Sequence, residues 1–224
     1  YPTLRSTSIY SLPQNIELSE LAGNGTSNSP YIISNADQLN AVRKNLNAHY
    51  RMSNDIDLID SLVWNNSSGW EPIGTLNADF KGTFDGNGYV VRNIIISTGA
   101  DYIGLFGCLG SAAVVRNLGI EDITITGNNY AGGLTGLNSG TVNNCYSTGY
   151  TAGNGNIGGL IGYNSGTVNN CYSTDYTAGN SNIGGLIGQN SSGNISDCYT
   201  AGSISGNSHI GGLVGYNVSG NILE

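Results

Sequence analysis

Charge is scarce in this 224-residue chain, with Asp, Glu, Lys and Arg making up 10% of it, against roughly 25% in ordinary soluble domains. All seven Lys and Arg occur at or before Arg116, and from Tyr130 onward only Asp175, Asp197 and Glu224 carry formal charge. A surface so poor in charge needs another cover, either glycans or neighbouring copies of the chain. The net charge of −8 provides no basic stripe to neutralise phosphates, which argues against nucleic acid as a partner. No apolar run approaches the ~18 residues of a membrane helix, so no transmembrane segment is expected. Histidine is confined to His49 and His209, neither with a Glu or second His at ligand spacing. There is no HExxH, no GxSxG and no CxxC, so neither a catalytic centre nor a cofactor is expected. The chain opens on Tyr1 rather than Met, which suits a processed or partial chain.

What the chain does have is glycine, 35 residues of it, arranged with a period. Ala131-Gly-Gly-Leu-Thr-Gly136, Ile157-Gly-Gly-Leu-Ile-Gly162, Ile183-Gly-Gly-Leu-Ile-Gly188 and Ile210-Gly-Gly-Leu-Val-Gly215 recur every 26, 26 and 27 residues. Behind each phrase come an Asn (Asn138, Asn164, Asn190, Asn217) and a β-branched residue (Val142, Val168, Ile195, Ile222). Three copies add a Cys-Tyr pair beginning at Cys145, Cys171 and Cys198. Short β-branched stretches separated by Gly, Asn and Ser clusters describe one coil of a solenoid, and no window of the repeats carries a helical apolar period free of Gly pairs.

The expected fold is therefore all-β, a parallel β-helix (β-solenoid) of about 26-residue coils with a small N-terminal α-helical cap. Residues 1–79 are read as leader and cap, including a helix over 36–47 with Asn35 as N-cap. Residues 80–224 are read as solenoid, with regular repeats from 130. That predicts five to six coils and roughly 25–30 Å of length. The Leu column (Leu134, Leu160, Leu186, Leu213) and the Val142 column become continuous apolar ribs. The column Asn138, Asn164, Asn190, Asn217 becomes an amide ladder joining turn to turn. In an extended strand Leu160 and Ile161 face opposite ways, so an outward apolar rib is expected unless the Gly pair bends the chain. No second capping helix is read near the C-terminal end, so an unlidded final coil is expected there.

The repeat 157–172 (IGGLIGYNSGTVNNCY) resembles that of GLUG-motif proteins. The upstream segments Tyr31-Ile-Ile-Ser-Asn-Ala-Asp-Gln-Leu39, Asn54-Asp-Ile-Asp-Leu58, Trp70-Glu-Pro-Ile-Gly74 and Phe80-Lys-Gly-Thr-Phe-Asp-Gly-Asn-Gly88 resemble the leader such proteins carry. The resemblance implies a secreted or surface-anchored bacterial or archaeal protein, adhesin or envelope component, with a β-helical body. The motif also occurs beside the metallopeptidase domain of immunoglobulin A proteases, but that activity has no HExxH here to rest on.

Several residues invite a chemical role. Asp55, Asp57 and Asp60 form the one carboxylate cluster, a weak metal candidate because the ligand order of a calcium loop is missing. Gly153-Asn-Gly-Asn-Ile-Gly158 spells a phosphate-loop pattern with no helix behind it. Asp85-Gly-Asn-Gly88 reads as a tight turn, since both Gly allow positive φ. Cys145, Cys171 and Cys198 are either a buried thiol rib or disulfide candidates together with Cys108. A bridge between adjacent coils sits near the lower limit of Cα separation, and three in a column leave at least one for Cys108, another chain or no partner. Glycosylation candidates are Asn24, Asn65, Asn66, Asn190, Asn194 and Asn217. Thiols and sequons together favour an extracellular or cell-surface location.

The expected role is a non-enzymatic extracellular structural protein that associates with copies of itself into a cell-envelope layer, sheath or fibre. The alternative is an adhesin or glycan-binding stalk module of a larger surface protein. There Tyr146, Tyr172 and Tyr199, or Tyr150 and Tyr176, would stack on sugar rings, with glycans or other envelope proteins as partners.

Overall fold

The computed structural model describes residues 12–223; Tyr1 and Glu224, the outer limits of the two expected segments, lie outside them. The strands wind as a parallel β-solenoid with three sheets for sides. The largest sheet runs through Tyr31–Ile33, His49–Met52, Thr83–Asp85, Val114–Thr126, Thr141–Ala152, Thr167–Asn169, Asn194–Ser196 and Asn221–Leu223. A second has Phe106–Leu109, Thr135–Asn138, Ile161–Asn164, Ile187–Asn190 and Val214–Asn217, and a third Asn129–Ala131, Gly155–Gly158, Ser181–Gly184 and Ser208–Gly211. Every pairing between these strands is parallel, and the repeats meet residue for residue: Val115 beside Val142, Val142 beside Val168, Val168 beside Ile195.

The parallel pairing reaches upstream of residue 80. Tyr31 lies beside Tyr50, and Tyr50 beside Phe84, in the column that continues as Val115 and Val142. The leader segment 31–79 thus contributes rungs to the same sheet, and the stack measures about 34 Å at one strand spacing per step. Its core is aromatic in this part, where Phe106 packs on Phe80 at 5.1 Å and on Phe84 at 5.5 Å. In the repeats it is aliphatic, with Leu134, Leu160, Leu186, Val142, Val168 and Ile195 all buried. Truncating one such leucine to alanine removes about 2–5 kcal/mol.

The helix is shorter than the expected 36–47. It spans Ala36–Ala41 and tightens into a 3-10 turn at Val42–Lys44. Asn35 caps it by accepting from Gln38 N at 3.0 Å. At the other end Asn45 turns to extended backbone, and the buried Tyr50 hydroxyl donates to the carbonyls of Asn45 at 2.7 Å and Val42 at 3.3 Å.

No outward Ile rib forms. The strand Gly155–Gly158 ends at the Gly pair, the chain bends through Gly159 and Leu160, and a new strand starts at Ile161. Ile157, Leu160 and Ile161 are all buried as a result, because the bend turns successive side chains to the same side. The bend itself is bonded along the stack, Gly133 N to Gly159 O at 2.7 Å and Leu134 N to Leu160 O at 3.0 Å.

Two corner columns hold left-handed backbone in every repeat. One is Asn117, Asn144, Asn170 and Asp197, with φ of 54, 53, 50 and 53°. The other is Tyr102, Tyr130, Asn156, Asn182 and His209, with φ of 58, 59, 56, 56 and 49°. Asn and Asp tolerate this conformation through short polar side chains, which explains their density at the corners. The tight turn at 85–88 forms, with positive φ at Asn87 and Gly88. The Asp85 carboxylate holds this turn by accepting from Asn87 N at 2.9 Å.

Candidate functional site

The polar side chains of the repeats are bonded along the stack. Asn138 donates to Asn164, Asn164 to Asn190 and Asn190 to Asn217, at 2.8, 2.8 and 2.9 Å, forming an internal amide ladder. Asn138, Asn164 and Asn190 are fully buried. A second ladder runs outside through Asn207, Asn180, Asn154 and Asn128, and a third joins Asn170, Asn144 and Asn117. Each net bond contributes about 1 kcal/mol, and burial makes an unpaired amide costlier still. Asn190 therefore cannot carry a glycan without breaking the ladder. Asn24, Asn65, Asn66 and Asn194 are exposed.

The tyrosine columns stack on themselves. Tyr146, Tyr172 and Tyr199 have ring centroids 4.9 Å apart and interplanar angles of 2 and 7°, and Tyr150 lies 5.6 Å from Tyr176 at 22°. Within each column the inner faces cover one another, and only the end members keep an open face, Tyr199 at 57% and Tyr176 at 43% exposed, so a sugar platform made of several ring faces does not arise here. The Tyr146 hydroxyl donates to Glu121 at 2.6 Å; burial, then this bond, push its pKa up. Thr141 and Thr167 are neighbours, but Val114 and Asn194 bound them, so that column holds two threonines.

The three aspartates do not converge. Asp55 accepts from Val90 N at 3.0 Å and pairs with Arg92 at 2.7 Å. Asp57 accepts from Ile59 N and Asn93 Nδ2, and Asp60 sits in the 3-10 turn Ile59–Val63. Among the described residues no three of His, Cys, Asp and Glu gather as a metal would require. His49 lies on the strand His49–Met52, and His209 packs on Tyr216 at 4.9 Å. The glycine-rich segment 153–158 enters a strand.

All four cysteines are free thiols. Cys145, Cys171 and Cys198 form a rib in which each Sγ donates to the carbonyl two residues back, at 3.3, 3.1 and 3.0 Å. Cys108 belongs to a different sheet. Burial, with Asp79 nearby, pushes its pKa up to about 11. Cys171 is raised by its hydrogen bond with Cys145 and by burial, and Cys198 by its bond with Cys171 and by burial. Hidden, protonated thiols react slowly. Iodoacetamide at about pH 8 is expected to spare Cys145 and Cys171 in the native chain and to alkylate all four cysteines in denaturant without reductant. A denatured, unreduced chain that takes only two labels would contradict this.

Sequence reasoning passed over three features. On the outer face Arg51, Asp85 and Arg116 occupy one column, with Arg116 bonded to Asp85 at 3.0 and 3.1 Å. Burial alone would raise Asp85; hydrogen bonds from Asn117 and Asn87 and the Arg116 charge together hold it below its usual value. A groove of about 250 Å3 opens between Trp70, Leu76 and Tyr102. Asp175 is fully buried, with Ser147 and Ser173 donating to Oδ2 at 2.6 and 2.9 Å and no donor on Oδ1. Burial pushes its carboxyl up to about 6 against these two bonds. The signal for Asp175 lies in the alternation: Cys171, Ser173, Asp175 and Thr177 share a parity that faces inward.

Residues 153–178 and 179–205 each match the model of the GLUG motif. The chain is 38% identical over 136 residues to halomucin of Haloquadratum walsbyi, a match covering 57% of this chain and 2% of that protein. It is 41% identical over 128 residues to a candidate Gly-rich membrane protein of Evansella cellulosilytica, covering 54% of this chain and 15% of the relative. The chain thus spans a small part of either. The crystal structure of a candidate immunoglobulin A1 protease from Bacteroides ovatus superposes with a TM-score of 0.75 at 28% identity, over 89% of this chain and 66% of that one. This chain carries two consecutive GLUG motifs, set in a parallel β-solenoid of the same period.

Proposed function

We propose that the chain is a non-enzymatic structural module of the cell exterior, a rigid spacer that packs beside copies of itself in a layer, sheath or fibre. The observation that carries this reading is where the polar groups of the repeats go. Asparagine amides and tyrosine faces are committed to neighbouring rungs, and no set of reacting groups converges among the described residues. The stack gives stiffness, since each coil is pinned to the next by backbone bonds, amide ladders and apolar ribs. Likeness to halomucin and to a Gly-rich membrane protein supports a place outside the cell. Among the described residues no helix is long and apolar enough to cross a membrane. From Tyr130 to Leu223 the outward faces carry one carboxylate, Asp197, so little charge opposes side-by-side packing.

Sedimentation velocity over rising concentration tests the association. The unmodified chain is expected to form larger species as concentration rises. Thr174→Lys, which puts a charge on the exposed tyrosine-bearing face, is expected to weaken them. A single monomeric species for both, up to the highest concentration reached, overturns self-association. An adhesin role is the second reading, favoured by the same relatives, and it calls for a ligand site.

A further inference from the structure

We propose that the groove beside Tyr102 binds a neutral sugar ring of a glycan. This goes beyond the structural role and does not depend on self-association. Tyr102 and Tyr130 stack with centroids 4.6 Å apart and planes 1° from parallel. Tyr130 covers the Tyr102 face toward the repeats. Tyr102, but not Tyr130, lines a groove of about 250 Å3 together with Glu71, Pro72, Thr75, Leu76 and Asp101. In the other tyrosine columns a stack begins beneath a neighbouring rung, whereas this one begins at an open recess.

The recess has the chemistry of a pyranose subsite. An aromatic ring and the apolar surfaces of Pro72 and Leu76, the latter 60% exposed, suit the C–H face of a sugar. Asp101 is oriented by Asn128 Nδ2, Asn129 N and Asn129 Nδ2, all on Oδ1 at 2.8, 2.9 and 3.2 Å. Its Oδ2 takes none of these and remains to accept from a sugar hydroxyl. Glu71, whose side chain is 68% exposed and 3.8 Å from Arg43, adds a second acceptor at the rim. Two carboxylates with no cation lining the groove disfavour uronic and sialic acids and leave neutral sugars. The volume is below the ~300 Å3 at which pockets for drug-sized ligands begin, room for one ring rather than a long chain.

The column position supplies a clean variant. Tyr102, Tyr130, Asn156 and Asn182 share a register and the same left-handed φ, so Tyr102→Asn substitutes the residue that the later coils already carry. The experiment is saturation-transfer difference NMR on the full chain with cellobiose and N,N′-diacetylchitobiose, and with digalacturonic acid as the anionic counterpart. At least one neutral disaccharide is expected to receive saturation and the digalacturonate none. Tyr102→Asn is expected to weaken that binding about tenfold, while Tyr102→Phe and the distant Tyr172→Ala retain it. The proposal is overturned if neither neutral disaccharide binds, if digalacturonate binds equally, or if Tyr102→Asn binds like the unmodified chain.

Discussion

Gly162→Ala is expected to destabilise the chain by about 3 kcal/mol or more, although it adds a single methyl group. A Cβ at Gly162 would stand 2.6 Å from the Tyr130 carbonyl carbon and 2.7 Å from both Ala131 N and Gly136 O. All three are backbone atoms of the preceding coil, held by their own rung-to-rung bonds, so none can yield as a flexible side chain would. The same crowding recurs at Gly136 against Tyr102, at Gly188 against Asn156 and at Gly215 against Asn182. The last Gly of each repeated phrase is thus required by the left-handed corner stacked on it. Gly212 is the control, for a Cβ there meets nothing within 4 Å, and Gly212→Ala should shift stability by no more than about 1 kcal/mol. Urea unfolding of the two variants measures the contrast, and equal midpoints would show that the close approach is absent.

Asp175→Asn is expected to stabilise the chain at neutral pH, by about 3 kcal/mol if the carboxyl titrates near 6 in the fold and at 3.8 in the unfolded chain. With the folded value the higher one, the native state binds the proton more tightly. The variant's advantage is therefore nil below about pH 3.8, grows between 3.8 and 6, and is constant above. Taking the difference between variant and parent cancels the titration of the other carboxylates. Asparagine keeps the shape and an oxygen for Ser147 and Ser173, while its NH2 takes the place of the unpaired Oδ1. Gly149 and Gly202 flank Asp175 in its column, so no cation sits above or below to neutralise it. Thermal unfolding of both proteins at about pH 4 and pH 7 measures the effect, expected to be much larger at pH 7; an equal difference at the two values would place the carboxyl in water.

The period, parallel register and ribs were legible in the sequence because a solenoid repeats its side-chain environments at fixed intervals. The asparagine column could be placed by counting residues. The Gly159 bend could not, since whether Ile161 turns in or out depends on backbone direction at two glycines that accept either. The reach of the winding back to Tyr31 was hidden because the early rungs use Tyr and Phe in place of Val and lie 19 to 34 residues apart by register. The tyrosine columns are legible by spacing, but that Tyr146, Tyr172 and Tyr199 lie face to face depends on side-chain rotamers that spacing does not give. Tyr102 differs by position alone, a first member with a recess before it, and composition carries no trace of that.

Stacking in register holds the fold together, and a methyl NOESY spectrum of the isotope-labelled chain tests it most directly. Cross-peaks should link Val115 to Val142, Val142 to Val168 and Val168 to Ile195, and Leu134 to Leu160 to Leu186, each one coil apart. Methyl contacts confined to residues near in sequence, or linking Leu160 to coils other than its two neighbours, would contradict the solenoid.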